Sequence, residues 1–154
     1  MILLKEVKSL SISNCPVLGR LRVYADEIEE LLDYANPDLN SDLSYKIFCD
    51  DRNLTIAVDE DHVKLHINFS VSQQARKDIH VGLLCYDSKY QNKGIGLGFT
   101  RALFKFAGVN GFNEVSATAG LDIGCYAWAR AGAACAQIAV LYLYSHPLIL
   151  LIYL

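Results

Sequence analysis

The sequence predicts one mixed α/β domain with a mostly antiparallel central sheet flanked by helices. Two observations lead to this fold class: an amphipathic helical segment followed by three closely spaced strands, and then a strand, a glycine-rich turn, a helix and another strand. The 154 residues are 53% hydrophobic and 20% charged, which is the composition of a folded chain with a single core. We therefore interpret residues 1–154 as one domain.

The first half of the chain contains one helix and three strands. From Arg20 to Ala35, apolar residues recur at helical spacing beside an acidic face, and Asn36-Pro37 ends the pattern. Polar turns separate three short segments rich in β-branched and aromatic residues, 44–51, 53–60 and 62–71. The third alternates strictly between apolar and polar residues, so we expect one face of it to be buried.

The second half alternates strands and helices. Residues 79–86 form a nearly continuous apolar run, which is typical of a central strand covered on both faces. A helix is predicted from Gly98 to Gly111, with an apolar stripe of Phe99, Leu103, Phe106 and Ala107. A strand is predicted from Asn113 to Gly120, and a short helix from Asp122 to Gly132.

The C-terminal segment 136–154 contains no Asp, Glu, Lys or Arg. It is about long enough to span a bilayer, but Ser145, His146 and Pro147 interrupt it. We favour two short buried strands, 138–144 and 148–153, over a membrane tail. An aberrant chain end is a third interpretation, and burial of this apolar segment in a homodimer is a fourth.

Charge and cysteine content narrow the partners and the compartment. The net charge is -3 and no basic stripe stands out, so nucleic acid is not an expected partner. The 5 cysteines include no C-x-x-C pair and the N-terminus lacks a signal peptide, which favours reduced thiols in the cytoplasm. The turn Asp59-Glu60-Asp61 lacks the spacing of a calcium loop, and we expect no metal.

The stretch "YQNKGIGLGF", residues 90–99, places three glycines between a predicted strand and a predicted helix. The first N–H groups of a helix have no internal partner, and glycines let an anion approach the backbone closely, so this order predicts a phosphate site. It matches neither G-x-x-x-x-G-K-[ST] nor G-x-G-x-x-G. A plain tight turn is the alternative interpretation.

The segment "LCYDSKYQNKGIG", residues 84–96, resembles the acetyl-CoA motif of the GNAT family of N-acetyltransferases. Tyr90, Gln91, Gly94 and Gly96 match its Y-Q-x-x-G-x-G part. The predicted helix and the strand after Gly111-Phe112 extend the resemblance over residues 79–133.

The resemblance implies a GNAT fold and a site for acetyl-CoA, used as a co-substrate. The pyrophosphate would bind the backbone of the turn, and the pantetheine arm would pair with the end of the preceding strand. The implied coenzyme-binding residues are Leu84, Cys85, Tyr86, Gln91, Asn92, Lys93, Gly94, Ile95, Gly96 and Leu97.

The resemblance also implies direct attack of a primary amine, from a small molecule or a peptide, on acetyl-CoA. Tyr126 is our candidate acid and His80, on the motif strand, our candidate base. Trp128 stands where the family usually has the acidic Tyr, and an indole N–H donates a hydrogen bond without releasing its proton. Two further hypotheses therefore stay open: a catalytically weak or inactive acyl-CoA-binding regulatory module, and a version of the enzyme tethered to a membrane through residues 136–154.

Overall fold

The computed structural model describes residues 2–7, 12–38, 42–118, 134–135 and 149–153. These residues form a mixed sheet flanked by helices, which confirms the predicted α/β class. The strands are β1 (Ile2–Val7), β2 (Tyr45–Cys49), β3 (Asn53–Asp59), β4 (Val63–Val71), β5 (Lys77–Tyr86), β6 (Glu114–Thr118), β7 (Ala134–Cys135) and β8 (Ile149–Tyr153).

The described strands lie in the order β1-β2-β3-β4-β5-β6-β8-β7. The neighbours from β1 to β5 pair antiparallel, whereas β5 pairs parallel with β6, and β8 pairs parallel with both β6 and β7. The meander expected from the closely spaced strands is therefore confirmed. β8 falls within the predicted strand 148–153, while the predicted strand 138–144 and the predicted helix 122–132 lie outside the described residues.

The helices are α1 (Val17–Leu21), α2 (Ala25–Asp33) and α3 (Ile95–Val109). The single helix predicted from Arg20 to Ala35 is wrong at its start. Arg22 adopts a left-handed φ of 57° and ends α1, where the N–H of Val23 donates to the carbonyl of Leu18 at 3.3 Å. The apolar periodicity continues across this break, so spacing alone did not reveal it.

The two faces of the sheet differ in composition. Alternate residues of β3, β4 and β5, such as Ile56, Ile67 and Ile79, are fully buried on the face that the helices cover. Phe69 of β4 packs its ring 5.9 Å from that of Phe106 in α3 and 6.2 Å from that of Phe112. The opposite face, which we call the open face, carries polar side chains.

A row of polar residues in direct register crosses the open face: Thr55, Asn68, His80 and Ser116, on β3, β4, β5 and β6. Thr55 donates its hydroxyl to Asn68 Oδ1 at 2.9 Å. Because each member has a cross-strand neighbour able to hydrogen-bond, the row can be polar in the middle of a sheet.

Three cysteines are free thiols: Cys15 and Cys49 are buried, and Cys85 is exposed. Burial, together with the neighbouring Cys49, raises the pKa of Cys15 to about 12, so this thiol stays protonated at neutral pH. Within the described part of the chain, no helix has the length and apolar character that crossing a membrane requires.

Candidate functional site

A β-bulge in β5 marks the start of the candidate site. His66 of β4 pairs with Leu83, and the next residue, Ile67, pairs with Val81, which leaves Gly82 as the extra residue. A Cβ atom at Gly82 would lie 2.8 Å from Nδ1 of His66. The bulge therefore requires a glycine unless the imidazole moves.

The bulge changes what the apolar run of β5 contacts. Before it, Ile79 and Val81 are fully buried; after it, Leu83 is 45% exposed on the open face and Cys85 is also exposed. The prediction that residues 79–86 are covered on both faces is thus wrong. Because the run is apolar on both sides of the bulge, hydrophobicity alone did not reveal this change.

Among the described residues, the pairing of β5 with β6 ends at the bulge, and we call this point the fork. The parallel pairing runs from Asp78–Glu114 to Val81–Ala117 and then stops. From Leu83 to Tyr86, β5 pairs with β4 only, and no other described strand lies along its second edge. A strand edge of this kind presents backbone N–H and C=O groups that an extended ligand can bind.

The segment after β5 folds back in a tight turn. A short 3₁₀-helix spans Ser88–Tyr90. Nε2 of Gln91 donates to the backbone carbonyl of Tyr86 at 2.9 Å and ties the end of the turn to the end of β5. Asn92 and Gly94 both adopt positive φ values, 59° and 78°. The polar residues before the glycines thus shape the turn itself.

The turn leads directly into α3, whose first turn contains Ile95, Gly96 and Leu97. The N–H of Gly98 donates to the carbonyl of Gly94 at 2.8 Å, so the three preceding N–H groups precede the first intrahelical bond. No acidic residue lies in this first turn, and no described side chain caps it. These donors are therefore available to an anion.

The helix begins three residues earlier than predicted, within the glycine run. Glycine is a poor helix former, which is why the pattern placed the start at Gly98. Gly96 lies against the ring of Tyr86, since an added Cβ would contact Cε2 at 3.5 Å. Packing of the turn against the end of β5 thus outweighs the low helix propensity of the glycines.

Aromatic and basic side chains surround the turn. The Tyr90 ring lies 4.8 Å from Nζ of Lys89 and 5.6 Å from Nζ of Lys93. Two buried polar atoms nearby, the hydroxyl oxygen of Tyr86 and Nε2 of His62, have no hydrogen-bond partner within the described structure. Burial raises the pKa of Tyr86, so its hydroxyl is a neutral donor. The side of the turn that faces Tyr90 thus carries two lysines and two buried polar atoms.

His80 lies on the other side of the bulge, on the open face. Nδ1 is 2.9 Å from Oγ of Ser116, and Nε2 is 3.1 Å from Oγ1 of Thr118. Partial burial, and to a smaller extent the nearby His66, lower the pKa of His80 below its usual 6.5. The imidazole is therefore mostly neutral at pH 7 and able to accept a proton.

The structure brings most of the predicted site residues together. The end of β5 (Leu84, Cys85 and Tyr86) is continuous with the turn and with the start of α3, which hold the predicted residues from Gln91 to Leu97. His80 lies apart from them, on the side of the fork where β5 still pairs with β6. Tyr126, the candidate acid, lies outside the described residues, as does Trp128.

Three residues of the site escaped sequence reasoning: Gly82, Ser116 and Thr118. Gly82 has the one signal that could have been noticed, because an isolated glycine inside a strand pattern suggests a bulge. Ser116 and Thr118 matter only through the register of β6 against β5, and a single sequence does not contain that register.

In the part of the chain that the structure describes, no group of three or more His, Cys, Asp or Glu residues could hold a metal ion. The described residues of the site offer backbone groups, hydroxyls and imidazoles as their chemistry. Comparison of the chain with protein-family models, with curated proteins and with solved structures finds no match.

Proposed function

We propose that this protein is an acetyl-CoA-dependent N-acetyltransferase of the GNAT type, which transfers an acetyl group to a primary amine. One observation carries the proposal: a strand edge, Leu83–Tyr86, along which no described strand pairs, runs through a tight turn into an N-terminus of α3 that no described side chain caps. This arrangement supplies backbone groups for an extended chain and for an anion, one directly after the other.

Coenzyme A has these two parts in the same order. Its pantetheine arm carries amide groups, which can exchange hydrogen bonds with the Leu83–Tyr86 edge of β5 as a neighbouring strand would. Its pyrophosphate is a compact anion, which suits the N–H groups of Ile95, Gly96 and Leu97 and the positive end of the α3 dipole. Lys93, with an exposed side chain beside the turn, adds positive charge.

The reaction needs no covalent enzyme intermediate. The amine, once it has lost a proton, attacks the thioester carbonyl, so that an N–C bond forms and the C–S bond breaks. The electron pair of that bond goes to sulfur, which takes a proton that the nitrogen no longer needs. The neutral imidazole of His80 supports a role as the base, since burial holds its pKa low. We infer that this chemistry takes place in the cytoplasm.

A binding module without turnover is the second candidate. Trp128 in place of the usual Tyr favours it, because a tryptophan cannot protonate a departing thiolate. Both candidates bind acetyl-CoA at the same place. They differ in whether free CoA appears when amines of several classes, such as benzylamine, spermidine and a lysine-containing peptide, are added.

The proposal is tested by calorimetric titration of acetyl-CoA into the wild type and into Gly96→Glu. The added carboxylate lies among the free N–H groups and repels a pyrophosphate, so binding should weaken at least about a hundredfold, a change typical of opposed charges in a partly desolvated site. Two controls separate charge from folding. Gly96→Ala adds only an ordinary contact to Tyr86 and should bind normally, and Gly108→Glu adds the same charge about 18 Å away along the helix.

Absence of binding in a folded wild type would contradict both the enzyme and the binding module. Equal loss of binding in Gly96→Glu and Gly108→Glu would place the anion elsewhere. Binding that depends on Gly96, followed by release of CoA in the presence of an amine, supports the enzyme.

A further inference from the structure

We propose that two hydroxyls of β6, those of Ser116 and Thr118, fix His80 as its Nδ1–H tautomer and connect its basic Nε2 to the fork. The inference rests on the proposed function, because it assigns the path by which the acceptor amine loses its proton. Three contacts carry it: the two between His80 and these hydroxyls, and a third between Ser116 and the backbone.

The third contact sets the direction of the hydrogen bonds. Oγ of Ser116 lies 3.4 Å from the backbone carbonyl oxygen of Ile79, and a carbonyl can only accept. If the Ser116 hydroxyl donates there, its oxygen accepts from His80, whose Nδ1 lies 2.9 Å away. Nδ1 then carries the ring hydrogen. Ser116 is a positioning residue, since it is buried and acts only through His80.

The tautomer leaves Nε2 of His80 as the basic atom. Its neighbour is Oγ1 of Thr118, at 3.1 Å, which donates to it. Thr118 comes directly after the last parallel pair, Val81–Ala117, so it stands at the fork itself. Its side chain is exposed there.

Distance explains why a relay is needed. His80 precedes Leu84 by four residues of strand, or about 13 Å at the usual rise. An acyl group that ends beside Leu84 is therefore displaced from His80 along the strand. Thr118 lies between the two, since it occupies the level of the bulge.

The amine loses its proton through two coupled transfers. The acceptor ammonium gives one proton to Oγ1 of Thr118 while the Thr118 hydroxyl hydrogen passes to Nε2 of His80. The products are a neutral amine, an unchanged hydroxyl and an imidazolium. Charged or titratable groups of the described residues near His80 include His66 on β4, Glu114 on β6, and Asp78 with its ion-pair partner Arg76 at the start of β5.

The tautomer of His80 can be measured on the protein without any ligand. With ¹⁵N-labelled histidine at pH 7.5, we expect the His80 signals of a ring protonated on Nδ1 and bare on Nε2. Ser116→Ala removes the acceptor of that hydrogen, so the populations should shift toward the Nε2–H form. Ser70→Ala, which removes a hydroxyl from the same face at its contact with the Asp78 carbonyl, should leave the His80 signals unchanged. An Nε2–H ring in the wild type, or no change in Ser116→Ala, would overturn the proposal.

The relay through Thr118 is tested by measuring turnover with the fastest-reacting of benzylamine, spermidine and the lysine-containing peptide. Thr118→Val keeps the shape but loses the hydroxyl, and we expect kcat to fall at least about tenfold, with Thr118→Ser restoring most of it. Equal rates for the wild type and Thr118→Val would overturn the relay. Failure of the proposed function would give a different result. Acetyl-CoA would then leave the Gly96 amide signal unshifted, while the ring of His80 would still be protonated on Nδ1.

Discussion

The N-termini of α2 and α3 are built from opposite kinds of residue. The first turn of α2 is Ala25-Asp26-Glu27, and Oε2 of Glu27 accepts the N–H of Tyr24 at 2.8 Å. The first turn of α3 is Ile95-Gly96-Leu97, without an acidic or capping side chain. Both helices begin with free N–H groups and have a dipole of the same direction. Of the two, only α2 has acidic side chains in its first turn that stabilise these groups.

The difference separates a helix start that serves stability from one that is open to a ligand. Carboxylates at α2 lower the energy of the folded chain whether or not anything is bound. At α3 that stabilisation is missing, and an anion can supply it from outside. α3 also follows an edge of β5 along which no described strand pairs, whereas α2 follows a short helix. Of these two helices, α3 is therefore the one that continues from a surface that an extended ligand can pair with.

Within the comparison of the two helices, the largest expected effect comes from giving α3 the residue that α2 has. Leu97 occupies the third helical position, as Glu27 does in α2. Leu97→Glu should weaken acetyl-CoA binding at least about tenfold, because its carboxylate competes for the N–H groups, while adding about 0.3–1 kcal/mol to the free energy of unfolding. Leu97→Gln, of the same size, should change binding less than threefold. Calorimetry and urea unfolding measure the two effects, and equal binding by both variants would contradict the comparison.

A stability effect of about 1–2 kcal/mol is expected at Gly94, the residue that precedes α3. Its φ of 78° is costly for any residue with a Cβ atom, so Gly94→Ala should lower the free energy of unfolding by that amount. Gly98→Ala is the matched change inside the helix, where a Cβ meets nothing within 4 Å. It should raise the free energy of unfolding by about 0.5–1 kcal/mol. If urea unfolding showed that Gly94→Ala raises the free energy of unfolding as Gly98→Ala does, the turn would not require a glycine.

At α2 the expected effect is smaller and confined to stability. Glu27→Ala removes the bond to the Tyr24 N–H and one favourable charge, which should cost about 0.5–1 kcal/mol of unfolding free energy. Glu30→Ala, at an exposed position of the same helix, should stay within about 0.5 kcal/mol of the wild type. Neither should alter acetyl-CoA binding; a weaker affinity in Glu27→Ala would break the distinction between the two helix starts.

The smallest effect is the pH dependence that His80 gives to stability. Its pKa in the folded chain lies below the usual 6.5, so the unfolded chain binds more protons between these two values. The unfolding free energy should therefore fall as the pH drops through 6.5 toward the folded pKa. His80→Gln should show a shallower fall in urea titrations at pH 7.5, 6.5 and 5.5. A wild type whose slope matches that of the variant would mean that the open face leaves this imidazole unperturbed.

The sequence predicted the individual helices and strands better than the way in which the strands pair. Alternation in β4 and the stripe of Phe99, Leu103, Phe106 and Ala107 in α3 identified buried faces correctly, because period and burial are linked residue by residue. The fork was not predictable, since it depends on where β6 stops pairing with β5. The break at Arg22 also escaped detection, because a left-handed arginine in the middle of a helical pattern leaves no compositional trace.

The central claim is that the open N-terminus of α3 binds the pyrophosphate of acetyl-CoA. The most direct measurement is a titration of acetyl-CoA into ¹⁵N-labelled protein, followed by amide ¹H–¹⁵N spectra. We predict the largest shifts at the amides of Ile95, Gly96 and Leu97, with smaller ones along Leu83–Tyr86, and none at Asp26 and Glu27. Saturable shifts elsewhere that leave the α3 amides unmoved, or no shifts at all in the folded protein, would contradict it.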